Sequence, residues 1–142
     1  MTKFIAAMDH SGGSTGGVLE RYGREFTEDN KMQRVHEMRL RMVNSPAFNS
    51  TNIASAILYK DTVDRGMVSV LRKKGISPFL KVDSGCEDDG TLKPFSVSYM
   101  CKFARDHNII GTKMRSIVKT ADVLEEVVRP VSYTHLTLPT TD

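Results

Sequence analysis

Four times along this chain a short apolar run stops at a charged or glycine-rich segment and is followed by residues with helical apolar spacing. That rhythm constrains the fold more than any other feature of the sequence. The first run, Phe4 to Met8, meets Asp9; the second, 53–59, meets Lys60; the third, 76–80, meets Lys81-Val82-Asp83; the fourth, 109–118, carries Lys113 and Arg115 within it. Continuous apolar runs of this length are expected of strands covered on both faces. Between them, Val18, Leu19 and Tyr22 predict a short helix stopped by Gly23. Met32, Val35, Met38 and Met42 predict a longer one capped by Thr27. Val63, Met67, Val70 and Leu71 predict a third, capped by Asp61 and ended by Gly75. Ser96 is placed to cap a helix carrying Val97, Met100, Cys101 and Ala104, with Asn108 just past its end, and Thr120 to cap one over 121–128. Strands alternating with helices imply an α/β fold with parallel pairing and right-handed crossovers. Four such units fit half of an eight-unit barrel, which takes ~250 residues when complete. A small doubly wound sheet has the same periodicity.

Composition narrows the function classes. With 39% hydrophobic and 26% charged residues the chain reads as globular and soluble, not disordered. A net charge of +3 without a long Lys/Arg block gives no reason to expect a nucleic-acid partner. No run is apolar enough to span a membrane, and the opening Met-Thr-Lys-Phe-Ile-Ala-Ala-Met-Asp reads as a strand and not a signal peptide, so a cytoplasmic protein is expected. Cys86 and Cys101 with four scattered histidines match no zinc spacing, and no metal site is expected. His36 and His107 are read as helix-surface or terminal residues, Cys101 and the methionine stripe as core, and Cys86 as a loop residue without a base beside it.

The chemistry is expected at the strand ends. Asp9, Lys60, Lys81, Asp83, Lys113 and Arg115 all lie at or near the ends of apolar runs, and parallel α/β folds bind ligands at the C-terminal ends of their strands. One lysine there is readily explained by solvent or by a neighbouring Asp; the same habit at three strand ends favours an anionic ligand. Ser11-Gly12-Gly13-Ser14-Thr15-Gly16-Gly17 lies between strand and helix, where backbone N–H groups and hydroxyls suit an anion. It is neither a P-loop nor a convincing dinucleotide fingerprint.

Phe4-Ile5-Ala6-Ala7-Met8-Asp9-His10-Ser11-Gly12-Gly13-Ser14, His36-Glu37-Met38-Arg39, Ser45-Pro46-Ala47-Phe48, Ala56-Ile57-Leu58-Tyr59, the block from Lys74 through Phe79-Leu80-Lys81-Val82-Asp83 to Gly85, and Gly111-Thr112-Lys113-Met114-Arg115-Ser116 follow in order. Together they resemble the N-terminal part of class I, Schiff-base fructose-bisphosphate aldolases, especially the bacterial type, over about residues 3–128. The stretch from Asp61 to Gly75 is shorter than in the animal enzymes. The resemblance implies a TIM (β/α)8 barrel, here about its first four βα units. It implies metal-independent, reversible cleavage of fructose 1,6-bisphosphate in glycolysis and gluconeogenesis, without a cofactor. It implies Asp9 and Lys113 as catalytic residues and Ser11, Ser14, Lys81 and Arg115 as phosphate-binding residues. The family's Schiff-base lysine and acid/base glutamates lie on later strands, so none of the lysines present here is expected to be that nucleophile. A small phosphosugar is the implied partner, and a homo-oligomer is among the states open to the parent protein.

From Pro130 the sequence Pro-Val-Ser-Tyr-Thr-His-Leu-Thr-Leu-Pro-Thr-Thr-Asp is expected to continue neither the preceding helix nor the βα rhythm. It resembles translated sequencing-adapter DNA. The expected organisation is therefore an aldolase half-barrel over 1–129 and a non-native tail over 130–142, the fragment itself being inactive. Another phosphosugar TIM-barrel lyase, or a non-catalytic phosphosugar-binding or scaffold protein, are the competing readings.

Overall fold

Strand β1 (Phe4–Met8) begins a computed structural model that describes residues 2–11 and 13–137, with the backbone alone described at 13–14 and 131–137. It is followed by α1 (Gly13–Arg21), α2 (Lys31–Val43), β2 (Ile53–Leu58), α3 (Lys60–Asp64), α4 (Met67–Lys73), β3 (Ser77–Lys81), α5 (Val97–Asp106), β4 (Gly111–Lys113) and α6 (Ala121–Thr137). The strands run in the order β1-β2-β3-β4, and β1 with β2 and β2 with β3 pair in parallel. The chain is therefore α/β with sequential parallel strands, as the rhythm predicts. Two compact units divide it, Met1–Leu80 and Lys81–Asp142.

In the first unit the register sets Met8 beside Leu58 and Leu58 beside Leu80. These three side chains are almost wholly buried with Val35, Val43, Val63, Met67, Leu71 and Ile76. Each such burial stabilises by roughly 1.5–3 kcal/mol. β1 departs from the expectation of a strand covered on both faces: Phe4 is 69% and Ile5 63% exposed. The cause is its place at the end of the strand order, where β2 is its neighbour.

α2 corrects the reading of its apolar stripe. The buried residues are Val35, His36, Arg39 and Val43, while Met42 is largely exposed. Asn30, not Thr27, occupies the position before the first turn; the Asn30 side chain instead accepts from the Thr27 N–H at 2.8 Å. Asp61 likewise lies inside the first turn of α3, after Tyr59 at the cap position, and it pairs with Arg65 at 2.9 Å. The single helix expected there is broken by Gly66, whose φ of +86° is left-handed and suits a residue without Cβ. At the end of α2 and just beyond it, Lys74 Nζ donates to the carbonyls of Val43, Ser45 (3.3 Å) and Phe48 (2.9 Å).

In the second unit Ser96 caps α5 as expected, accepting the Tyr99 N–H at 3.3 Å, and Asn108 adopts the positive φ of a residue just past a helix end. Cys101, Phe103 and Ala104 bury the inner face of α5, which packs on α6. The fourth strand is much shorter than expected, three residues in place of 109–118. α6 runs through Pro130 to Thr137, so the helix does continue past residue 129. A proline removes one N–H and crowds the preceding turn, but it does not oblige the backbone to leave the helix. Residues 138–142 of the expected tail lie outside the described residues.

Candidate functional site

The two units each carry part of the residue set expected to do chemistry. In the first, Asp9 follows directly on β1 and is 8% exposed. The next peptide is held from outside the turn: Arg39 Nη2 donates to the His10 carbonyl at 2.7 Å. Arg39 Nη1 donates to Thr62 Oγ1 at 2.6 Å. Arg39 is 3% exposed and Thr62 fully buried. Burial pushes the Arg39 guanidinium pKa down, against the opposing pull of the Asp61 and Asp9 carboxylates. Arginine nevertheless stays charged in proteins, so α2 brings a buried cation to the turn behind Asp9.

His36, expected on the helix surface, is 7% exposed, and its Nδ1 is buried without a hydrogen-bond partner. Its pKa is lowered, first by burial and then by the charge of Arg65, with Asp61 acting in the opposite direction. Arg39 and His36 are the residues that sequence reasoning missed. Positions 35, 36, 39 and 43 share one helix face, but the methionine stripe overlaps it, so spacing alone did not single them out.

The glycine-rich turn leads into α1, whose first turn carries no acidic residue. Ser11 is half-buried before it. Ser14 lies in the first turn, and its side chain is outside the described residues. Lys60, counted with the strand ends in the sequence, instead joins a helical ion pair with Asp64 at 2.6 Å. An open depression lined by Glu20, Arg24, Phe26, Asn30 and Arg34 contains none of the expected site residues.

In the second unit the organising group is Asp83, whose side chain is 1% exposed. Its Oδ1 accepts the Gly85 N–H at 2.9 Å and its Oδ2 accepts the Arg115 N–H at 3.0 Å. The Val82 N–H donates to the Lys113 carbonyl at 3.0 Å. The carboxylate thus fastens the segment after β3 to the segment after β4. This explains the shortened strand, because the Arg115 amide is taken by a side chain and not by a sheet ladder. Lys81 Nζ stands 3.8 Å from Asp83 Oδ1, and only 12% of its side chain is exposed. Lys113 is half-buried and Arg115 exposed. The loop between β3 and α5 lies against the same segment: Cys86 Sγ reaches the Arg115 carbonyl at 3.7 Å, and Lys119 Nζ donates to the Asp88 carbonyl.

Among the described residues no group of three or more His, Cys, Asp or Glu side chains is arranged to hold a metal ion, and no helix is long and apolar enough to cross a membrane.

Sequential parallel strands place the chain among the α/β proteins, a class in which ligands are commonly bound at the C-terminal ends of the strands. No family model matches the chain. It is 36% identical to the class 1 fructose-bisphosphate aldolase of Porphyromonas gingivalis over 144 aligned positions, which cover 90% of this chain and 48% of that protein. The chain is thus similar to a class I fructose-bisphosphate aldolase over nine-tenths of its own length, and it spans about half the length of the curated relative it matches.

Proposed function

We propose that the chain is the N-terminal half of a TIM-barrel class I aldolase, a lyase that reversibly cleaves fructose 1,6-bisphosphate to dihydroxyacetone phosphate and glyceraldehyde 3-phosphate. The observation that carries this reading is the 36% identity to a class 1 fructose-bisphosphate aldolase across nine-tenths of the chain. The reaction uses no metal and no separate cofactor; the lysine that forms the Schiff base belongs to sequence beyond this chain. The protein works on a phosphosugar in the cytoplasm, and its natural sequence departs from this one near residue 130.

The resemblance assigns the roles, and physical chemistry accounts for them. A bisphosphate carries about four negative charges, so its pocket needs cations at both ends. Lys81 and Arg115 are assigned to phosphate, and so are the hydroxyls of Ser11 and Ser14. Lys113 sits beside the nucleophilic lysine and favours its free amine by charge repulsion. Asp9, at the end of β1, moves protons at the reacting carbons.

Steady-state kinetics of the full-length protein test the reading. Asp9→Asn should lower kcat by ~10²–10⁴ with a much smaller change in KM. Arg115→Ala should raise KM, and less so for a substrate with one phosphate. Borohydride treatment of the 142-residue chain with dihydroxyacetone phosphate should leave it unlabelled; a clean adduct on Lys81 or Lys113 would overturn the assignment. A full-length protein that binds phosphosugars without cleaving them would mark a binding or scaffold protein instead.

A further inference from the structure

Arg39 stands out because nothing in the proposed chemistry requires it. A guanidinium 3% exposed is costly to place unless its donors are satisfied. Two of them are directed at one tertiary purpose: Nη2 to the His10 carbonyl at 2.7 Å and Nη1 to Thr62 Oγ1 at 2.6 Å. Thr62 lies on α3, Arg39 on α2 and His10 on the turn after β1, so one side chain ties three segments of the first unit together. The carbonyl it holds belongs to the His10–Ser11 peptide, one peptide beyond the Asp9–His10 link, so the bond anchors the turn from which the Asp9 side chain projects. Asp9 and Asp61 both act electrostatically on the guanidinium, so the charge lies within reach of the carboxylate as well as of the backbone behind it.

We propose that Arg39 is a positioning residue for Asp9, fixing the β1 turn through the His10 carbonyl and itself fixed by Thr62. This rests on the proposed catalytic role of Asp9. A lysine could not substitute, because a single ammonium on a flexible stem cannot present two donors in a planar fork. Thr62 matters for the same reason: without its hydroxyl the fork has one anchor fewer and can swing.

The test is a double-mutant cycle in the full-length protein, joined to a measurement that needs no substrate. Arg39→Lys should lower kcat by about tenfold or more while KM stays within about twofold. In the Asp9→Asn background the same substitution should cost less than about twofold further, because a residue that acts through Asp9 has nothing left to position. An equal loss in both backgrounds would show a general structural role and overturn the proposal. Thr62→Val should reproduce the pattern with a smaller loss, and it replaces Arg39→Lys in the cycle if that variant does not fold. Amide hydrogen exchange at residues 9–11 should accelerate in Arg39→Lys and Thr62→Val; unchanged exchange in both would also sink the idea. If the unsubstituted protein shows no aldolase activity, the functional reading fails separately, and the exchange rates alone decide whether Arg39 holds the turn.

Discussion

His36 shows how one buried side chain couples this fold to pH. Its folded pKa lies below the ordinary 6.5, chiefly through burial and then through Arg65 and Arg39, with Asp61 and Glu37 opposing. The unfolded chain therefore takes up a proton as pH falls through about 6.5 while the folded chain does not. Stability should be full above that value and decline below it until the folded pKa is passed. Thermal unfolding between pH 7.5 and 5 should show this decline, and His36→Gln should flatten it; parallel pH curves for both proteins would refute the assignment. The same residue marks the limit of what the sequence discloses. Asp9 and Lys81 were legible as strand-end residues because an apolar run that meets a charge announces its own end. His36 and Arg39 were not, because two helical stripes overlap on α2. Methionines at 32, 38 and 42 outweigh a histidine and an arginine on any apolar scale. Only the tertiary partners, a threonine on α3 and a carbonyl after β1, make the second stripe the buried one.

At the scale of elements, cap chemistry was the most legible signal where it acts through one local bond, as Ser96 does with Tyr99, and the least where a neighbouring turn competes, as at Thr27. The length of β4 was hidden for a related reason. An apolar run over 109–118 satisfies strand periodicity, yet Asp83 takes the Arg115 amide and ends the ladder. Gly90 tests how firmly the β3–α5 loop is seated. Its φ is +98°, and an added Cβ would come within 2.2 Å of the Ile117 carbonyl oxygen. Gly85 shares the left-handed backbone, at +95°, but has open space around it. Gly85→Ala should therefore cost only the backbone strain, roughly 1 kcal/mol, and Gly90→Ala should cost more, about 2–3 kcal/mol. Urea denaturation measures both, and equal losses would mean that the Ile117 segment yields freely.

For the whole molecule the edge of the sheet governs behaviour in solution. β1 has β2 as its sheet neighbour, and Phe4 and Ile5 are mostly exposed along it. A strand edge bearing large apolar side chains recruits other chains. The 142-residue chain should associate increasingly with concentration in sedimentation velocity, and Ile5→Lys should shift it toward monomer. A monomeric species at every concentration would argue against this. A different global property follows from Lys74, whose ammonium is ringed by the carbonyls of Val43, Ser45 and Phe48. An ammonium nitrogen has no free lone pair to offer an electrophile, and the three carbonyls hold the group in place while those hydrogen bonds last. When the folded chain is treated with an acylating reagent, Lys74 should be modified far more slowly than the exposed Lys73 beside it, and the two rates should converge once urea has unfolded the protein. That ratio makes a single pair of adjacent lysines an internal clock for how often the first unit opens.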